Sequence, residues 1–192
     1  PAAGDAGAAL GAALFTWHQL LDNERKVEAQ DSQKASLLGP AYTNDSICNA
    51  LDTMDAKYQS FDDQEQLLDT VAKLIENEKE LGRFQGRMEF GPRALGNRSI
   101  IGDPRSEKMQ SIMNLKTKFR ESFRPFAPCV LQEDASEYFD MQKDQQSPYM
   151  LIVAGLRQDK RITDESDGSL KGLDKLKIKR SVIPAVTHVD YS

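Results

Sequence analysis

Cysteine and histidine are both scarce in this chain of 192 residues, with two of each. Cys48 and Cys129 sit in unrelated segments at no metal-binding spacing, which argues against a zinc module or a disulfide scaffold. Two free thiols fit a reducing compartment, so a cytoplasmic location is expected. The only histidines, His18 and His188, are too far apart in sequence to suggest a metal pair. A long hydrophobic run is also missing. The richest apolar stretch, Ala6 to Leu21, is broken by Gly7, Gly11, His18 and Gln19 and falls short of the ~20 apolar residues a helical span needs. Neither a secretory signal nor an internal repeat is visible. The chain opens at Pro1 without a methionine, so a fragment or a processed product is expected.

What is present is a globular composition, 39% hydrophobic and 29% charged, with an uneven distribution of charge. The net charge is −5. Yet the window from Arg83 to Arg124 holds ten basic side chains against four acidic ones, a local +6, which leaves −11 for the remainder. An acidic chain that gathers its arginines in one stretch is expected to use them on an anion.

Residues 5–21 read as a helix rich in Ala and Leu, apolar on nearly every face and therefore suited to burial in something large. A polar linker follows over residues 23–40, ending at Gly39-Pro40. A short helix is predicted over residues 44–54, capped by Thr43 or Asn44. A longer one is predicted over 63–79, with Leu67, Leu68, Val71, Leu74 and Ile75 on one face. Short strands at 83–85 and 99–102 flank a glycine-punctuated loop, and a helix fits 106–115. Apolar runs at 127–132, 149–155 and 185–189 read as strands, and 159–179 reads as an exposed charged excursion. This mixture predicts an α/β (α+β) domain over residues 41–192, with a twisted mixed sheet and flanking helices.

Chemistry concentrates in Gly86-Arg-Met-Glu-Phe-Gly-Pro-Arg-Ala-Leu-Gly-Asn-Arg-Ser99. Arg87, Arg93 and Arg98 fall within twelve residues, on a loop whose glycines let backbone approach a ligand and whose Pro92 restricts φ. Guanidinium groups grip phosphate and carboxylate with paired donors. Asn97 and Ser99 add neutral groups that can orient a small polar ligand, and Glu89 is placed to brace one of the arginines. A second basic segment, Lys116-Thr-Lys-Phe-Arg-Glu-Ser-Phe-Arg-Pro-Phe-Ala-Pro128, would bring Lys118 and Arg120 to one face if extended. Pairing with surface acids is the competing explanation. Seven arginines against four acids cannot all be neutralised that way, and such pairs contribute only ~0–1 kcal/mol. On chemistry alone the anion could be nucleic acid, a nucleotide or a phosphorylated metabolite.

Those two segments, together with Pro184-Ala-Val-Thr-His-Val-Asp190, resemble the C-terminal half of the O-carbamoyltransferases of antibiotic and nodulation-factor biosynthesis. The start, Pro1 to Ala13, resembles the end of the same family's N-terminal domain. The resemblance implies two domains. The N-terminal one has an ATPase fold and transfers the carbamoyl group; residues 1–22 would be its remnant. The C-terminal one resembles the threonylcarbamoyl-adenylate synthases, and here it would be truncated at its end. It would join carbamoyl phosphate and ATP into carbamoyl adenylate, releasing pyrophosphate and phosphate, before transfer to an acceptor hydroxyl. ATP is then a co-substrate accompanied by Mg2+. Fe2+ or another divalent metal belongs to the N-terminal domain, where Asp5 would be a ligand only in the intact enzyme.

By the same resemblance, Arg87, Arg93, Lys118 and Arg120 act as catalytic anion clamps. Asn97, Arg98, Ser99, Arg124 and His188 contact substrate, while His18 is packing or surface. Preorganised cations suit a reaction that crowds phosphates together. The sequence departs from the family at Tyr191, where a glycine is usual, and at Cys129, where a serine is common. The partners expected are carbamoyl phosphate, ATP and a hydroxyl-bearing small molecule. No membrane partner is expected, and the fragment alone should be inactive in transfer. An RNA-binding module of the same fold is the alternative, disfavoured by net charge −5 and by the lack of an evident stacking platform. A non-catalytic docking piece is the third reading, and it predicts no nucleotide binding.

Overall fold

In the computed structural model, residues 5–28, 31–162, 171, 172, 175 and 178–192 are described, the side chains of 5 and 6 excepted. They form two compact units, Pro1–Gln64 with Gly82–Ile100 and Glu65–Leu81 with Ile101–Ser192. The architecture is mixed α/β with a small two-stranded sheet and several short helices.

The first unit begins with α1 (Asp5–Phe15), extended by a π-turn at Thr16–Leu20. Its Leu10, Leu14, Phe15, Trp17 and Leu20 are exposed, so the apolar faces noted in the sequence lack cover within this unit. His18 Nδ1 lies 2.9 Å from the Asn23 carbonyl and ties off the helix end. Helix α2 (Asn44–Thr53) starts where the sequence predicts: the Thr43 hydroxyl accepts the Ser46 N–H at 3.2 Å, satisfying a first-turn donor.

The strands also fall close to their predicted places. β1 (Leu81–Phe84) pairs with β2 (Arg98–Ile101), and the arginine loop spans the residues between them. The end of the predicted linker is tied down by hydrogen bonds. Ser36 is fully buried and its carbonyl accepts from Phe90 N–H at 2.7 Å. Gly39 N–H donates to Met88 O at 2.9 Å, and Met88 N–H to Pro40 O at 3.0 Å. A Cβ on Gly39 would lie 2.9 Å from the Met88 carbonyl oxygen, so only glycine lets the two backbones approach this closely.

In the second unit, α3 (Gln64–Glu76, its first residue belonging to the first unit) matches the predicted periodicity, although Leu67, Leu68 and Leu74 stay exposed. The helix predicted at 106–115 is shorter: α4 (Met109–Ile112) widens into a π-turn at Met113–Thr117. Met109 and Met113 are buried. After α5 (Ala135–Tyr138), a core gathers Phe139, Leu156 and Ile183, with Tyr138, Met141, Ala154 and Val186 against it. Single bridges, Phe139 with Leu156 and Arg161 with Ser181, hold its walls.

Three predicted strands are not formed. Residues 127–132 and 149–155 are irregular, because an apolar run becomes a strand only where a neighbour satisfies its backbone groups. Leu131 and Val153 are 64% and 82% exposed, so burial does not hold these runs in place either. The run 185–189 opens instead with a 3-10 turn at Pro184–Val186, where proline's restricted φ and missing N–H favour a turn over a ladder. The charged excursion lies mostly outside the described residues.

The turn before α4 is stapled by Asp103, which is buried and accepts from the backbone N–H and the Nε of Arg105, both at 2.9 Å. The Arg105 side-chain hydrogen bonds lower the Asp103 pKa below its ordinary 3.8, against the opposing effect of burial. A carboxylate with a depressed folded pKa contributes stability above its unfolded value and loses it as pH falls through the folded one. The stability gap between the wild type and Asp103→Asn is therefore expected to be full at pH 7 and to close below about pH 4. Denaturant titrations of both proteins across that range check this.

Candidate functional site

The arginine loop is organised by a carboxylate. Glu89 is only 3% exposed, and its Oε1 accepts three backbone N–H groups: Leu95 and Asn97 at 2.8 Å and Arg98 at 3.2 Å. Burial pushes the Glu89 pKa up, but the N–H groups of Leu95, Asn97 and Arg98 outweigh it and hold the pKa below its ordinary value. The predicted bracing of an arginine is present in weaker form: Arg98 Nε stands 3.8 Å from Glu89 Oε2, and its Nη2 donates to Gly91 O at 3.1 Å.

Asn97 and Ser99 serve the loop itself. Asn97 Nδ2 donates to Arg87 O at 3.1 Å, and Ser99 Oγ accepts from Gly96 N–H at 3.1 Å. Arg87 is exposed, with one donor on Gly39 O at 2.7 Å. Gly91 and Gly96 have φ of +102° and +119°, conformations that side-chain-bearing residues avoid. Arg93, between them, is exposed.

The second basic segment, in the other unit, is not extended. Lys118 ends the π-turn in a helical conformation, and Phe119 has φ +50°. The alternation that would put Lys118 and Arg120 on one face is therefore absent. Lys118 is exposed, whereas Arg120 lies over the Phe126 ring at 4.9 Å and donates through Nε to Asn114 Oδ1 at 2.6 Å. Arg124 pairs with Glu121 at 3.1 Å, an exposed contact.

The same unit contains a cavity of about 630 Å³ walled by Glu107, Lys108, Lys179, Arg180, Phe123 and His188, in which Lys179 Nζ pairs with Glu107 at 3.2 Å. Arg180 is 5% exposed and donates through Nη1 to the carbonyls of Lys175 and Ile178. His188 Nδ1 lies 3.2 Å from Ser192 Oγ, while Nε2 is buried without a hydrogen-bond partner. Tyr191, beside this turn, has φ +64°, the left-handed conformation that glycine adopts at no steric cost.

The side chain of Asp5 lies outside the described residues. Among the described residues, no group of three or more His, Cys, Asp or Glu side chains could hold a metal ion. Cys48 and Cys129 are free thiols, and no described helix is long and apolar enough to cross a membrane.

Residues 72–192 match the family model described as carbamoyltransferase C-terminus. The chain belongs to this family. It is 55% identical over 196 residues to the uncharacterized protein sll1178 of Synechocystis, covering 100% of this chain and 31% of that protein. It is 36% identical over 191 residues to nodulation protein NolO of Bradyrhizobium diazoefficiens, covering 99% of this chain and 31% of that protein. Nodulation protein U of Sinorhizobium fredii is 42% identical over 82 residues, 43% of this chain and 14% of that protein. The chain thus spans about a third of the length of the first two relatives.

Within this carbamoyltransferase C-terminal domain, sequence reasoning missed Lys108, Lys179 and Arg180 as cavity-wall cations and Asn114 as the anchor of the second segment. Arg180 could have been flagged by its place four residues before the Pro184 motif. Nothing in the sequence marks Asn114, an asparagine in an amphipathic helical pattern.

Proposed function

We propose that the chain is part of an O-carbamoyltransferase and that its domain activates carbamoyl phosphate with ATP. The observation carrying this reading is the cavity walled by exposed Lys108, by Arg180 and by His188, whose Nε2 is buried without a hydrogen-bond partner, in a chain of this family. A cationic wall beside a buried imidazole nitrogen suits a phosphate-bearing ligand.

The chemistry would begin with water cleaving carbamoyl phosphate to carbamate and phosphate. A carbamate oxygen then attacks the α-phosphorus of ATP, accompanied by Mg2+. The bond from that phosphorus to the bridging oxygen breaks, pyrophosphate leaves, and carbamoyl adenylate remains. Exposed Arg87 and Arg93 in the loop of the first unit would supply cations to the crowded phosphates. In the second unit His188 and exposed Lys118 would act on substrate, whereas Asn97, Ser99, Arg120 and Arg124 are bonded within their own units. A synthase-like fold for residues 41–192, a linker over 23–40, a remnant domain at 1–22 and a cytoplasmic location belong to the same proposal. So does transfer of the carbamoyl group to an acceptor hydroxyl by the rest of the longer protein.

The full-length protein is expected to release pyrophosphate from ATP only when carbamoyl phosphate is present. Lys108→Ala, at an exposed cavity-wall position, should raise the KM for one of the two substrates about tenfold, the effect of ~1.4 kcal/mol. Pyrophosphate release that ignores carbamoyl phosphate would overturn the reading.

A further inference from the structure

We propose that Glu89 is a positioning residue that preorganises the arginine loop, and that its negative charge strengthens anion binding there although it sits among the binding arginines. The inference rests on the reading that this loop grips a phosphorylated anion. Electrostatics alone argues the opposite: a carboxylate beside Arg98 should weaken the attraction of that arginine for a second anion.

Three observations favour positioning. One oxygen, Oε1, gathers the N–H groups of Leu95, Asn97 and Arg98, which a loop holding two left-handed glycines would otherwise leave to solvent or to one another. Three converging N–H donors on one carboxylate form charge-assisted hydrogen bonds, roughly twice as strong as neutral ones. The other oxygen, Oε2, is buried without a hydrogen-bond partner, 3.8 Å from Arg98 Nε. An orphaned carboxylate oxygen is costly to keep. Its closest cation is therefore held on this side of the loop, while Arg98 Nη2 is fixed on Gly91 O. The carboxylate thus restrains both the backbone and the guanidinium of Arg98. Arg93, between the two glycines, is left exposed. An arginine whose geometry is already set loses less freedom when an anion arrives.

The variants Glu89→Gln and Glu89→Ala, in the full-length protein, separate charge from shape. Glutamine can keep an oxygen at the Oε1 position, but it removes the charge and turns an amide N–H2 toward Arg98. Hydrogen exchange read on peptides covering residues 95–98 is expected to speed up by tenfold or more in Glu89→Ala and by less in Glu89→Gln. Carbamoyl phosphate affinity, read by calorimetry, is expected to fall about tenfold in Glu89→Gln with the fold retained. Tighter binding by Glu89→Gln would show that charge repulsion dominates and would overturn the proposal. Unchanged exchange in Glu89→Ala would overturn it whether or not a ligand binds. If the wild type binds no carbamoyl phosphate, the functional reading fails and the exchange measurement alone decides the role of Glu89.

Discussion

Arg93→Ala in the full-length protein is expected to lower carbamoyl-phosphate-dependent pyrophosphate release by about 10²–10³-fold, the cost of removing one preorganised charge-stabilising donor. Two features single this arginine out. It lies between Gly91 and Gly96, whose positive φ glycine adopts without strain, so the loop turns tightly on both sides of it. It is also exposed, whereas Arg87 and Arg98 each spend a donor on a backbone carbonyl of their own unit. An ordinary surface arginine would contribute ~0–1 kcal/mol and change the rate only a few-fold. Arg93→Lys should fall between, because it keeps the charge and loses the two-pronged grip. Lys118→Ala is the companion test, since Lys118 is exposed at the end of the π-turn. Pyrophosphate release at the wild-type rate in both Arg93→Ala and Lys118→Ala would sink the assignment of these residues.

Much of this was legible from local signals. The Thr43 cap, the periodicity of α3 and the glycine spacing around the arginine loop each act over a few residues, and each is found at or near its predicted place. What was not legible depends on partners distant in sequence. The apolar runs at 127–132 and 149–155 look like strands in composition, but their backbone state depends on neighbours that a linear reading cannot supply. The shared face expected for Lys118 and Arg120 is absent for a different reason: the helical pattern upstream does not stop at Leu115 but overruns it as a π-turn, which destroys the alternation assumed for an extended segment. The Glu89 carboxylate was noticed for its charge. Its main work is on backbone N–H groups, which sequence does not display.

Asn114→Ala is expected to destabilise the second unit by about 3 kcal/mol, several times what a typical surface substitution does. The side chain is fully buried and satisfied at both ends. Its Nδ2 donates to Ser122 O at 3.1 Å and Arg124 O at 2.8 Å, while Oδ1 accepts Arg120 Nε at 2.6 Å. Alanine removes all three bonds, and each buried partner left without one costs ~1–3 kcal/mol. The sum is reduced because Ser122 and Arg124 are themselves exposed, so water can replace part of what is lost. At ~2–4 °C per kcal/mol for a chain of this size, the transition should drop by roughly 6–12 °C in calorimetry. Asn114→Asp sharpens the test. Aspartate keeps the shape and offers Arg120 a stronger acceptor, but it has no donor for the two carbonyls and sets its own oxygen against them. If the donors hold the segment together, aspartate will be at least as damaging as alanine. If the Arg120 contact is what matters, aspartate will be close to wild type and the anchoring role assigned to the amide falls.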